Sequence, residues 1–179
     1  MLFRSAGEAP AATLVRLLDE TDGRQLFAAG GANQIPEHVE EVFRHPGTLV
    51  GLGDAGAHVT SICDSSMTTY VLGYWCRERG ALTLEEAVRR LSSEPAEVVG
   101  IPRRGRLAPG AYADVNVIDL AGLEMEVPEF VSDFPAAAGR WTQRARGYAY
   151  TIVNGQIVIE EGRHTGRLPG RLVRGGDAH

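Results

Sequence analysis

Leu49-Val50-Gly51-Leu52-Gly53-Asp54-Ala55-Gly56-Ala57-His58 is the stretch on which the reading of this chain turns. An apolar run drives into a glycine-rich turn and ends on a single carboxylate, Asp54. The pattern predicts a buried strand with Asp54 at its carboxyl end. In barrel and open-sheet enzymes that end is where chemistry is assembled, because loops converge there on rigid strands. Asp54 is therefore the first candidate for a catalytic or metal-binding group. Aspartate also caps turns and helices, and on the residues alone that alternative stays open.

Working outward, Leu26-Phe27-Ala28-Ala29 before Gly30-Gly31 predicts a second short buried strand, followed by a loop containing Asn33. Between the two strands, Pro36 opens a helical pattern through Val39, Val42 and Phe43 that has to stop before Pro46. Strand, helix, strand at this spacing predicts a βαβ unit and a parallel sheet. Upstream, Leu14, Leu17 and Leu18 follow Pro10 at helical spacing, and Gly23 offers a left-handed stop.

Downstream, Met67 to Arg79 predicts a helix closed by Gly80, although Thr68, Thr69, Tyr70 and Val71 oppose it through restricted rotamers. Thr83-Leu84-Glu85-Glu86 has capping-box spacing ahead of the stripe Leu84, Ala87, Val88, Leu91. Pro95 suits the first turn of a further short helix ending at Gly100. The pattern then changes, which places a boundary near Ile101 between a lobe of residues 1–100 and one of residues 101–179.

The second lobe reads as β. Ala113 to Asp119 alternates, and Thr151-Ile152-Val153-Asn154-Gly155-Gln156-Ile157-Val158-Ile159 reads as a hairpin with a primed turn at Asn154-Gly155. The excursion 124–143 contains Pro128 and Pro135 and has no period, so no structure is assigned to it. Neither an internal repeat nor a low-complexity segment is present.

Composition bounds the function. The 179 residues are 44% hydrophobic and 23% charged, enough for a real core. A net charge of -5 with dispersed arginines argues against nucleic-acid binding or a polybasic membrane patch, and leaves small neutral or anionic substrates open. Cys63 and Cys76 are the only cysteines, too few for a disulfide framework or a CxxC motif, and read as buried small apolar groups. A reduced, cytoplasmic setting is expected, with neither a leader at Met1 to Gly7 nor a membrane-spanning stretch.

Around Asp54, His58 lies four residues on, and Cys63-Asp64-Ser65-Ser66 lies near enough for Ser65 or Ser66 to contact a substrate. A lone loop histidine is more often solvent-facing or hydrogen-bonded. His38, His45, His164 and His179 make no ligand spacing with Asp54. No Gly-x-Ser-x-Gly elbow surrounds the serines, and Gly51, Gly53 and Gly56 lack dinucleotide-fingerprint spacing.

Three blocks together resemble the metal-dependent amidohydrolase superfamily, in its D-aminoacylase or N-acyl-D-amino-acid deacylase branch. They are His45-Pro46 with Val50 to His58; Thr83 to Val88 through Glu94-Pro95-Ala96 to Gly100-Ile101 and Gly105-Arg106-Leu107-Ala108-Pro109-Gly110-Ala111-Tyr112-Ala113-Asp114; and Val153-Asn154-Gly155 with Glu161 to Gly170.

The resemblance implies a (β/α)₈ barrel holding one or two zinc ions, with a small β-sandwich lobe, and hydrolysis of N-acyl-D-amino acids or related amides. Asp54 is similar to the family's aspartate at the end of the last barrel strand, both metal ligand and proton carrier. Gly53 stands where a serine commonly precedes that aspartate. The family's paired histidines match nothing here, since no HxH pattern occurs.

A full barrel needs about 250 residues. The chain is thus read as the C-terminal fragment of such a barrel followed by the β-sandwich lobe, inactive unless a second polypeptide supplies the remaining strands and metal ligands. The alternative is a non-catalytic remnant or oligomerising module. Open strand edges and uncovered helix stripes favour an oligomer, most simply a homodimer, in either case.

Overall fold

The structure, a computed structural model, describes residues 7, 9–25, 27, 33–51, 53–61 and 63–174. The chain divides into two compact units, Met1–Glu41 and Val42–His179. The strand expected over Leu26-Phe27-Ala28-Ala29 falls almost wholly outside the described residues.

In the first unit, α1 (Pro10–Glu20) starts with proline in its first turn, where the missing N–H costs nothing. It closes as the sequence predicts: Gly23 turns left-handed at φ +73° and its N–H donates to Leu18 O at 2.7 Å. The Thr21 hydroxyl donates to Leu17 O and accepts from Gln25 N. Helix α2 (Pro36–Arg44), which runs past Glu41 into the second unit, also follows its pattern. Its end before Pro46 is sealed by the Thr48 hydroxyl, which donates to the carbonyls of Val42 and His45.

The second unit is built around one helical stretch. α3 (Met67–Tyr70) runs directly into a π-helix over Val71–Glu78. A single α-helix was expected here, and the wider turn is the correction. Bulky β-branched and aromatic residues crowd an α turn, whereas the π turn lets Tyr70 and Tyr74 stack with centroids 4.9 Å apart while Trp75 meets Tyr74 edge-on at 5.1 Å. Gly80, at φ +63°, ends it.

Helix α4 (Leu84–Leu91) carries the full capping box: Glu86 N donates to Thr83 Oγ1, and Thr83 N donates to Glu86 Oε2. Thr83→Ala removes one half of that reciprocal pair and should cost about 0.5–2 kcal/mol, read as a lower urea midpoint with unchanged slope. Helix α5 (Ser93–Val99) ends at left-handed Gly100.

The β part is antiparallel throughout. β1 (Val115–Ile118), β6 (Tyr148–Val153), β7 (Gln156–Glu160) and β8 (Arg163–His164) form one sheet in the order β1-β6-β7-β8. Val115 pairs with Ile152 and Val153 with Gln156. The β6–β7 turn takes positive φ at Asn154 (47°) and Gly155 (77°), as the primed turn requires. Asn154 also accepts from Arg104 and donates to Pro169 O, which ties the tail to the turn.

The excursion left unassigned by sequence proves to be an arm of two short ladders. β2 (Glu124–Met125) pairs with β5 (Ala145–Arg146), and β3 (Glu129–Val131) pairs with β4 (Arg140–Thr142).

The expected parallel unit is not seen among the described residues. Leu49 to Gly51 and Gly53 are irregular backbone, not strand, and Leu49 is 42% exposed. A parallel strand is held by neighbours on its edges, and the described residues supply none. There is no closed barrel among them. No helix among the described residues is long and apolar enough to cross a membrane.

The buried core of the second unit comprises Val71, Leu72, Trp75, Ala81, Leu82, Ala87 and Leu123. Polar links tie the helical stretch to the sheet and to the segment between β1 and β2. The Arg77 guanidinium donates to the carbonyls of Leu120 (2.9 Å) and Leu123 (2.6 Å), and Thr69 Oγ1 shares a hydrogen bond with Tyr148 OH at 2.9 Å.

Candidate functional site

Asp54 opens a chain of turns over residues 54–61. Its carbonyl accepts from Ala57 N at 2.9 Å, and its own N–H donates to Asp64 Oδ2 at 2.5 Å. Both backbone polar groups are thus fixed. Its side chain is exposed and has no hydrogen-bond partner among the described residues, so its oxygens are available for chemistry.

Gly53 is needed for this approach. A Cβ there would lie 2.7 Å from Asp64 Oδ2, 2.8 Å from its Cγ and 3.0 Å from its backbone oxygen. Glycine at position 53 is what lets the chain close on Asp64.

The other sequence candidates fall on the same loop with different roles in the fold. His58 is exposed at φ +49°, and its carbonyl accepts from Ser61 N. Ser65 is exposed. Ser66 is half-buried, with its hydroxyl donating to Gln143 Oε1 at 2.5 Å; the Gln143 amide in turn donates to Glu126 O. The hydrogen bond to Asp64 brings Asp54 against the segment that leads into Ser65 and Ser66.

Sequence reading missed the groups that brace the loop. From β4, Trp141 N donates to Val59 O at 2.9 Å and its indole N–H donates to Thr60 O at 3.1 Å. Trp141 and Gln143 act across the fold, and nothing local in the sequence marks them. The signal that existed was Asp64 itself, a second carboxylate just beyond the glycine-rich loop.

As a metal centre the described residues are incomplete. None of their His, Cys, Asp and Glu side chains group in threes around a point that could hold an ion. Catalytic zinc normally takes three protein ligands and keeps one open position. Asp54 can be one of the three. Asp64 spends Oδ2 on a backbone N–H, and burial, followed by the charge of Asp64, pushes the Cys63 thiol up. That thiol is a poor source of the thiolate a metal needs. The described residues do not by themselves fit a catalytic zinc ion.

The amidohydrolase family profile matches residues 8–159, and the chain belongs to that family. It is 35% identical over 161 residues to an N-acyl-D-glutamate deacylase of Alcaligenes xylosoxydans xylosoxydans, a match covering 86% of this chain and 30% of the relative. A D-aminoacylase of the same organism is 29% identical over 168 residues, covering 92% of this chain and 29% of the relative. The chain therefore spans about three tenths of the length of these relatives.

Among solved structures, an N-acyl-D-glutamate deacylase from Bordetella bronchiseptica, complexed with zinc and a phosphonate mimic of the tetrahedral intermediate, shares 37% identity. That match covers 59% of this chain and 20% of the other, with a TM-score of 0.41.

Proposed function

We propose that this chain is the C-terminal part of a zinc-dependent amidohydrolase that cleaves the amide bond of N-acyl-D-amino acids. On this reading residues 1–100 are the barrel part and residues 101–179 the small lobe. The observation that carries it is the family match over residues 8–159, which contains an aspartate with both backbone groups anchored and its carboxylate unpartnered.

Asp54 is then the proton carrier. Its carboxylate accepts a proton as water attacks the scissile carbonyl and returns it to the departing amine. His58, Ser65 and Ser66 are proposed to line the substrate side of the same loop.

Because the described residues hold an incomplete donor set, the remaining ligands on this reading come from outside residues 1–179, and a second polypeptide is one source of them. Exposed Val42, Leu84, Val88, Val98 and Val99 on the helices give such a partner, or a second copy, apolar surface to cover. The same incomplete set also favours one rival, a non-catalytic oligomerising module.

The test compares the chain alone with the chain co-expressed with a barrel polypeptide carrying an HxH pattern. N-acetyl-D-amino acid hydrolysis and zinc content after dialysis are the readouts. The chain alone should give no turnover and less than one zinc per chain, and the complex should give both. Stoichiometric zinc with turnover by the chain alone overturns the need for a partner. A zinc-loaded complex without turnover overturns the substrate assignment and leaves the rival.

A further inference from the structure

We propose that Asp64 is the positioning residue for Asp54, setting the direction of its carboxylate by holding its backbone; the catalytic half of this statement rests on the function proposed above. Asp54 N donates to Asp64 Oδ2 at 2.5 Å, and an ionised carboxylate is a stronger acceptor for a backbone N–H than a neutral oxygen is. Its partner on the other side of residue 54 is the Ala57 N–H on the Asp54 carbonyl. With both peptide groups pinned, the Cα–Cβ bond of Asp54 has a fixed direction, and only side-chain rotation is left to place its oxygens.

Three further observations show that Asp64 is built for this contact. First, Gly53 is packed so closely on it that any Cβ would drive into its carboxylate and its backbone oxygen. Second, the Asp64 Oδ1 atom is buried with no hydrogen-bond partner among the described residues. Among the described residues no second donor therefore competes with the Asp54 amide for this carboxylate. Third, Asp64 lies directly before the helical stretch. Its carbonyl accepts from Met67 N, and that helix is anchored to the sheet and arm through Thr69–Tyr148 and Ser66–Gln143. Asp64 thus refers the position of an exposed loop residue to the rigid part of the unit, as a well-directed functional group requires.

The test uses the full chain labelled with ¹⁵N. In the wild type the Asp54 amide proton should resonate far downfield and exchange slowly. Asp64→Ala should abolish the downfield position and speed exchange of that amide by about 10- to 100-fold, the range for a lost hydrogen bond to a charged group. The amides of α4 should stay unchanged. Asp64→Asn, which keeps a carbonyl oxygen as acceptor, should restore most of the protection.

Should Asp64→Ala fail to fold, Gly53→Ser displaces the same carboxylate by steric contact and should give the same signature at Asp54. In the zinc-loaded complex, Asp64→Ala should lower kcat about tenfold or more, with KM nearly unchanged. An Asp54 amide indifferent to both Asp64→Ala and Gly53→Ser overturns the proposal, as does Asp64→Asn behaving like Asp64→Ala. If the wild-type complex shows no turnover, the functional reading falls while the amide measurements still decide the role of Asp64.

Discussion

Replacing Asp54 by Asn in the zinc-loaded complex should lower kcat by about 10²- to 10⁴-fold, the range expected when a general acid–base group is removed. The substitution keeps the shape of the side chain and removes its charge and its capacity to accept a proton. It should leave the fold nearly untouched: the hydrogen bonds that residue 54 makes run through its backbone, to Asp64 and from Ala57, and its exposed carboxylate has no partner to lose. Urea midpoints of wild type and Asp54→Asn should agree within about 0.5 kcal/mol, as for exposed substitutions generally. A complex that retains near-normal turnover would remove Asp54 from the chemistry. One that loses turnover together with its fold would show the residue to be structural.

What could be read from sequence was what is decided within one turn of chain. The capping box at Thr83 and Glu86, the left-handed stops at Gly23 and Gly100, and the Asn154-Gly155 turn each depend on residues within a few positions, and each is found where expected. Leu49 to Gly53 has the composition of a buried strand, yet a strand exists only through neighbours it pairs with, and composition cannot supply them.

The arm was opaque for a related reason. β2 to β5 are two or three residues each, too short for alternation to show, and Pro128 and Pro135 interrupt them. The surroundings of the candidate residue were half legible. The local motif gave Asp54, while its brace came from Asp64 across a loop and from Trp141 and Gln143 on a distant arm, contacts made by the fold and not by spacing. The Gly53–Asp64 packing beside Asp54 is visible only in three dimensions.

The largest effect on stability should come from Trp75→Ala, with an expected loss of about 3–5 kcal/mol in the Val42–His179 unit. Trp75 is only 4% exposed, and its ring is met on several sides: Tyr74 at 5.1 Å, Phe43 at 5.1 Å, Tyr70 at 6.4 Å and the Arg79 guanidinium at 5.5 Å. Truncation therefore removes apolar burial and also the aromatic pairs, each contributing about 0.5–1.5 kcal/mol beyond its area. Against a total stability of about 5–15 kcal/mol for an ordinary domain, such a loss leaves little margin.

Urea unfolding followed by circular dichroism measures it. A loss below about 1 kcal/mol would show that the ring cluster is peripheral to the stability of the unit. Trp75→Leu separates area from geometry, because it refills much of the volume without a ring. If the edge-on contacts of Trp75 help hold the wide turn of Val71–Glu78, Leu should recover only part of the loss. Full recovery would mean that burial alone maintains that turn and that the aromatic geometry is its consequence.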